Sequence, residues 1–241
     1  MADGPGARHA VVTGGSSGIG AAVVAALLAR GLAVTGLDRH RGADARAGLE
    51  LVDITDGSAV SAALDRAAER AGPATVLIAC AGVRGAFAPA LELDPAAVLR
   101  VLEINVVGTL VPARELVRRL DGRPGSVVAV SSTTAYGGWP NQADYGTSKA
   151  AVNALVQTLA IEWAGLGVRV NAVAPAHTMT PMVREMVDGG YDLAPVIARI
   201  PLGRVATPEE IAAEIVHLAL DAGFVTGQVL PVDGGWTAVG R

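Results

Sequence analysis

The sequence predicts an α/β protein in which helices cover both faces of a parallel sheet, a doubly wound architecture. Three observations carry this. Short apolar runs alternate with longer Ala- and Leu-rich stretches. Most of the runs are apolar at every position rather than at every second one, as strands covered on both faces require. A glycine-rich turn joins the first run to the first helical stretch, the junction where such sheets bind ligands.

The apolar runs lie at residues 10–13, 33–37, 49–52, 76–79, 126–130, 168–173 and 228–232. Helical stretches are predicted between them at 19–30, 58–70, 95–120, 145–165 and 208–220. The last begins Thr207-Pro208-Glu209-Glu210. That order supplies an N-cap hydroxyl, a first-turn proline and two acidic residues at the positive end of the helix dipole. Strand–helix–strand alternation implies right-handed crossovers and parallel pairing. Functional residues are therefore sought just beyond the carboxyl end of each run.

Composition narrows the function. Of 241 residues, 51% are hydrophobic and 17% charged, which supports a sizeable core. The net charge of −4 and the 3% aromatic content argue against nucleic-acid binding. Cys80 is the single cysteine, so no internal disulfide forms, and no Cys/His spacing suits structural zinc; no metal is expected. The start of the chain lacks a basic segment followed by an apolar one, and runs such as 21–29 are too short to cross a bilayer. The expectation is a cytoplasmic protein without a membrane partner.

Thr13 leads into Gly14-Gly15-Ser16-Ser17-Gly18-Ile19-Gly20. The GxxxGxG spacing is a close variant of the dinucleotide loop, where small residues let the backbone turn sharply and approach a pyrophosphate. Free N–H groups at the following helix start would face the phosphates. Gly14, Ser16, Ser17, Gly18, Ile19 and Gly20 are candidate contacts. The second run ends at Asp38, twenty residues past Gly18. A carboxylate there can accept both ribose hydroxyls of NAD and repel the 2′-phosphate of NADP. Arg39 beside it works the other way, and a turn-capping role for Asp38 is the alternative. Asp53, with Ile54, closes the third run and suits either an adenine contact or a helix cap.

Tyr145-Gly146-Thr147-Ser148-Lys149 places a phenol and an ammonium four residues apart, on one helix face. A nearby cation favours the phenolate, so Lys149 is expected to lower the Tyr145 pKa and ready it for proton exchange. Ser132 lies thirteen residues before Tyr145 and can hold a substrate oxygen; Ser131 is its rival. Asn105 stands in an apolar helical stretch and needs partners. These are either backbone or a water that relays protons to Lys149, or a local core network.

Together these residues resemble the short-chain dehydrogenase/reductase family, over essentially the whole chain after Arg8. The loop 13–20 is similar to its cofactor loop. Cys80-Ala81-Gly82 falls at its Asn-Asn-Ala-Gly segment, and Ser132, Tyr145, Lys149 and Asn105 fall at its four catalytic residues. Pro175 and Thr180 match a segment that closes over the nicotinamide; Asp233-Gly234-Gly235 matches a C-terminal one.

The resemblance implies a short tail at 1–7 and one seven-stranded Rossmann-type domain over 8–241, with a substrate lid at about 178–205. It implies hydride transfer between a secondary alcohol and a ketone with NAD, and contacts from Ala81, Gly82, Tyr145, Lys149, Pro175, Thr178 and Thr180. It also implies a homotetramer or homodimer. Ala79 and Cys80 replace the family's asparagines and Ala176 its glycine. His177 is read as an exposed loop residue, with a substrate contact as the alternative, and Cys80 as a small buried filler.

Met179, Met182, Met186, Tyr191 and Leu193 in the lid, with Arg84, Thr134 and Trp139, suggest a partly apolar, mid-sized alcohol or ketone. The rival readings are an NADPH-linked 3-ketoacyl reductase, which Asp38 argues against, and a nucleotide-sensing protein without catalysis, which the presence of both Tyr145 and Lys149 argues against.

Overall fold

Runs that are apolar on both sides need cover on both sides. In the computed structural model, which describes residues 8–41 and 48–239, they obtain it. The expected tail at 1–7 lies outside the described residues. The strands are β1 (His9–Thr13), β2 (Ala33–Asp38), β3 (Gly48–Leu51), β4 (Ala74–Ala79), β5 (Gly125–Val130), β6 (Val168–Pro175) and β7 (Val229–Val232). They form one sheet in the order β3-β2-β1-β4-β5-β6-β7, with every pairing parallel. The order reverses between β1 and β4, which opens a crevice at their carboxyl ends.

Two helices, α1 (Gly18–Ala29) and α8 (Pro208–Leu220), cover one face; their Val23, Leu27, Ile211 and Ile215 pack with Val12 and Ile78 of the sheet. On the other face, α2 (Gly57–Ala71), α4 (Gly108–Val117) and α5 (Ala143–Ala164) bury Val60, Leu116 and Val156 against Val11 and Leu77. The start of α8 is as expected. Thr207 accepts from the Glu210 amide at 3.3 Å while the Glu210 carboxylate accepts from the Thr207 amide at 2.9 Å.

The stretch predicted as one helix over 95–120 is broken. It runs as α3 (Pro95–Leu102), a π turn (Glu103–Val107) and α4, and ends at Val117. By length and composition alone, Pro95–Val117 would suffice to cross a bilayer. Here its α4 part packs into the core, with Val111, Ala113 and Leu116 buried beneath the sheet, while Leu99 and Val107 stay exposed.

Between β6 and α8 the chain forms α6 (Pro181–Asp188) and α7 (Ala194–Arg199), two helices the sequence reading did not resolve. A single parallel bridge between Thr178 and Ala206 brings the two ends of this excursion together.

Candidate active site

The carboxyl ends of β1, β2, β4, β5 and β6 open into a cleft of about 480 Å³. The glycine loop forms one wall. Gly14 adopts φ +66°, and a Cβ there would lie 2.9 Å from the Ala81 backbone. A Cβ on Gly20 would overlap the Gly14 carbonyl oxygen. Both positions thus need glycine for close approach as well as for the turn. Ser17 is the N-cap of α1, but its side chain makes no capping bond, so first-turn N–H groups remain for a ligand at the cleft wall formed by Ser17 to Gly20. Across the loop, the Thr13 hydroxyl accepts from the Ala81 amide at 3.1 Å and steadies the turn that lacks the family's asparagine side chain.

Asp38 does two jobs. Its Oδ1 accepts from the amides of Arg39 (2.7 Å) and His40 (3.2 Å), the turn-capping role. Its Oδ2 accepts from the Ser16 amide at 3.2 Å, which ties it to the glycine loop and leaves lone-pair capacity at the cleft wall. Arg39 leans toward Asp53, with Nε 3.9 Å from Oδ2. Asp53 is not the cap of α2. Asp56 is, accepting from the Ser58 and Ala59 amides. Asp53 instead accepts from the amide and hydroxyl of Thr55, which hold its carboxyl below the usual carboxylate range.

Tyr145 and Lys149 meet on the cleft floor with Ser132. The Lys149 ammonium is 5.6 Å from the centre of the Tyr145 ring and donates to the Val130 carbonyl at 2.8 Å. Burial lowers its pKa to about 8. The phenol departs from the sequence expectation. Burial pushes the Tyr145 pKa up, and only the Ser132 hydroxyl opposes the shift. The protein chain alone therefore holds Tyr145 neutral, because desolvation of a would-be phenolate outweighs the hydrogen bond from Ser132. Ser131 is spent elsewhere, donating to Asn153 beneath the floor, which leaves Ser132 as the serine beside the phenol.

Ser16 and Asn105 are the two expected site residues that do not line the cleft. The Ser16 hydroxyl donates to the His40 carbonyl. Asn105 sits in the π turn, fully engaged: Nδ2 donates to the Val83 carbonyl and the Ser148 hydroxyl, both at 2.9 Å, and Oδ1 accepts from the Val83 amide at 2.8 Å. These bonds fasten the strand-end loop after β4 to α5. Single π turns inside α-helices are frequent at functional sites.

The excursion after β6 supplies the rest of the wall through Thr178, Thr180, Met182 and Met186; Met179, Tyr191, Leu193, Trp139 and Trp236 do not line it. His177 is not an exposed loop residue. It is partly buried, lines the cleft, and lies between Trp139 (5.4 Å) and Tyr191 (6.0 Å, stacked), where burial lowers its pKa. Thr134 lines the cleft with a buried Oγ1 that has no partner among the described residues. Cys80 also lines the cleft, and burial pushes its thiol up to about 12, far from reactive.

Asp144 and Phe87 escaped the sequence reading; Phe87 lines the cleft. Asp144, fully buried at the start of α5, accepts from the amides of Ala86 and Tyr145 at 2.9 and 2.7 Å. Its place directly before Tyr145 was a signal, but its partner lies 58 residues away in sequence.

Comparison with known proteins decides the family. A family model described as enoyl-(acyl carrier protein) reductase matches residues 14–237. Cis-4-hydroxycyclohexanecarboxylate dehydrogenase of Sinomonas cyclohexanicum is 43% identical over 96% of this chain and 97% of its own. The chain belongs to the short-chain dehydrogenase/reductase family.

A second member of that family, 2-dehydro-3-deoxy-L-rhamnonate dehydrogenase (NAD(+)) of Sphingomonas sp. (strain SKA58), is 34% identical over 95% of this chain and 96% of its own. The solved structure of ElxO with NADP bound superposes with a TM-score of 0.90 at 26% identity, covering 97% of this chain and 100% of that one. The short-chain dehydrogenase/reductase described here is an alcohol/ketone oxidoreductase that uses a nicotinamide coenzyme. Its residues fit one, since the glycine cradle is space a Cβ would fill and the start of α1 is uncapped. Gly14→Ala is expected to weaken coenzyme binding at least tenfold, read by fluorescence titration. The left-handed backbone alone costs an alanine about 1–2 kcal/mol, and the methyl would press on Ala81.

Proposed function

We propose that the protein oxidises a cyclic secondary alcohol to its ketone, and reverses the reaction, with NAD(H) and with Tyr145 as the proton-transfer group. One observation carries the reading: phenol, serine hydroxyl and buried ammonium share the floor of the cleft whose far wall is the glycine cradle. Ser132 positions the substrate oxygen beside Tyr145. Lys149, fixed by Val130, holds positive charge behind the phenol. In oxidation the alcohol O–H proton passes to Tyr145; in reduction Tyr145 returns it. The bound nicotinamide supplies the hydride acceptor or donor. Asn105 supports this floor by fastening Val83 to Ser148. Gly14, Ser17, Gly18, Ile19, Gly20, Ala81 and Gly82 would hold the coenzyme backbone, Asp38 its adenosine ribose, Asp53 and Ile54 the adenine, and Pro175, Thr178 and Thr180 the nicotinamide end. Ser16 acts indirectly, through Asp38.

The ring preference rests on the likeness to the hydroxycyclohexanecarboxylate enzyme and on Phe87, Met182 and Met186 in the wall. The unpartnered Thr134 hydroxyl is a further group for a polar substrate atom. The excursion 178–205 serves as the substrate cover. Leu99, Val107 and Ile161, exposed on α3, the π turn and α5, suit pairing of this face between copies in a homodimer or homotetramer. The lone cysteine suits the cytoplasm.

The test is a set of cyclic secondary alcohols with NAD, followed by NADH absorbance across pH. Because burial raises the Tyr145 pKa, the phenol is protonated at neutral pH. Oxidation needs it deprotonated, so the rate should climb on the order of tenfold from about pH 7 to about pH 9.5. The climb should be shallower than one decade per unit, since Lys149 discharges near 8 and withdraws its support. Ketone reduction needs the neutral phenol and should stay level from about pH 6 to about pH 8. Absence of oxidation with every alcohol tested, or a rate that falls as pH rises, would refute the assignment.

A further inference from the structure

Most of the basic side chains around the cleft already have an occupation. Lys149 is bonded to the Val130 carbonyl, Arg39 is paired with Asp53, and His177 lies between two aromatic rings with its pKa lowered. Arg84 is different. It lines the cleft and makes no hydrogen bond or ion pair with any described residue.

Its backbone is nevertheless held on both sides. Val83, just before it, is held on both amide and carbonyl by Asn105. Gly85, just after it, has φ +78°, and a Cβ there would overlap the buried Asp144 carboxylate. Ala86 donates to that same carboxylate, which also accepts from the Tyr145 amide. The loop carrying Arg84 is thus bolted to the helix start that carries Tyr145. Three residues on, Phe87 lines the cleft and meets Tyr191 edge-to-face at 5.8 Å.

An unpaired guanidinium on a fixed stem, beside an apolar wall of Phe87, Met182 and Met186, is a site for an amphiphilic acid. We propose that Arg84 recognises a carboxylate on the substrate, so that the preferred alcohol is a monoanionic hydroxy acid whose apolar body lies against Phe87. The inference deepens the alcohol–ketone reading and rests on it. A planar fork with parallel N–H donors matches a carboxylate, and one such cation matches one negative charge better than a phosphate dianion.

The test uses cyclohexanecarboxylate and the neutral cyclohexanecarboxamide as probes, titrated calorimetrically into the NADH-loaded protein and into the protein alone. Wild type should bind the carboxylate more tightly than the amide. Arg84→Ala should weaken carboxylate binding about tenfold to a hundredfold and amide binding less than twofold. Arg84→Lys should recover part of the difference. NADH affinity, read from its own fluorescence, should not change in either variant.

Equal weakening of both probes, no preference for the carboxylate in wild type, or a loss of NADH affinity in Arg84→Ala would each overturn the proposal; the last would make Arg84 a coenzyme contact. Turnover of neutral cyclohexanol tests the parent reading separately. If cyclohexanol is oxidised while carboxylate binding ignores Arg84, only this inference fails. If carboxylate binding depends on Arg84 while no alcohol is oxidised, only the parent reading fails.

Discussion

Tyr145→Phe is expected to lower kcat for alcohol oxidation by about 10²–10⁴-fold, with the coenzyme still bound. The substitution keeps the ring and removes only the oxygen, so packing of the partly buried side chain on α5 is preserved. What disappears is the group that takes the alcohol proton. The pH dependence should go with it, because the rise in oxidation rate reports titration of a phenol that burial holds neutral. Steady-state kinetics on one cyclic alcohol, with coenzyme affinity measured in parallel, separates this from a binding defect. A variant that kept both near-wild-type turnover and the wild-type pH slope would remove Tyr145 from the chemistry. Lys149→Met is the informative companion. It should reduce kcat too, while leaving a residual rate that still rises with pH, since the phenol remains.

The second large effect concerns coenzyme choice. Wild type is expected to favour NAD over NADP by on the order of 10²–10³ in kcat/KM, and Asp38→Ser should erase most of that preference. The carboxylate is fixed from three directions, by the amides of Ser16, Arg39 and His40, so it cannot swing away from an incoming 2′-phosphate. Two like charges about 4 Å apart near a protein surface repel by about 4 kcal/mol, close to three decades in affinity. Arg39 sits within reach of the same place but leans toward Asp53. In the Ser variant the repulsion is gone while Arg39, exposed and paired with Asp53 only at 3.9 Å, still lines the cleft, which is why a reversal rather than mere equality is within range. Kinetics with both coenzymes decides it. Faster turnover with NADP in the wild type would mean that Arg39, not Asp38, sets the preference.

Much of this was written in the sequence, for identifiable reasons. Strands buried on both faces read as unbroken apolar runs, so all seven emerged within two residues of their observed limits. Caps are local, so the start of α8 at Thr207 was legible from four residues. The glycine cradle, Asp38, Tyr145 and Lys149 were legible because their spacing expresses one turn of backbone or one face of a helix.

What stayed hidden is non-local or depends on solvent. Asp144 gains meaning only through Ala86, which the chain order places far away. The stacking of His177 between Trp139 and Tyr191 joins three separate segments. The break of the predicted long helix into α3, the π turn and α4 places Asn105 against Val83 and Ser148, partners outside its own helix. The direction of the Tyr145 shift is a matter of how much water the folded cleft excludes, and spacing carries no information about that.

The bridge between Thr178 and Ala206 gives the excursion after β6 a shared anchorage at both ends. Because the ends meet at one point, residues between them can be lengthened, shortened or exchanged at little entropic cost and without disturbing the register of β6 against β7. The scaffold that moves the proton and the appendage that selects the guest are therefore free to diverge at separate paces. A lineage with this architecture can acquire new guests by rewriting one insert while its chemistry stands still.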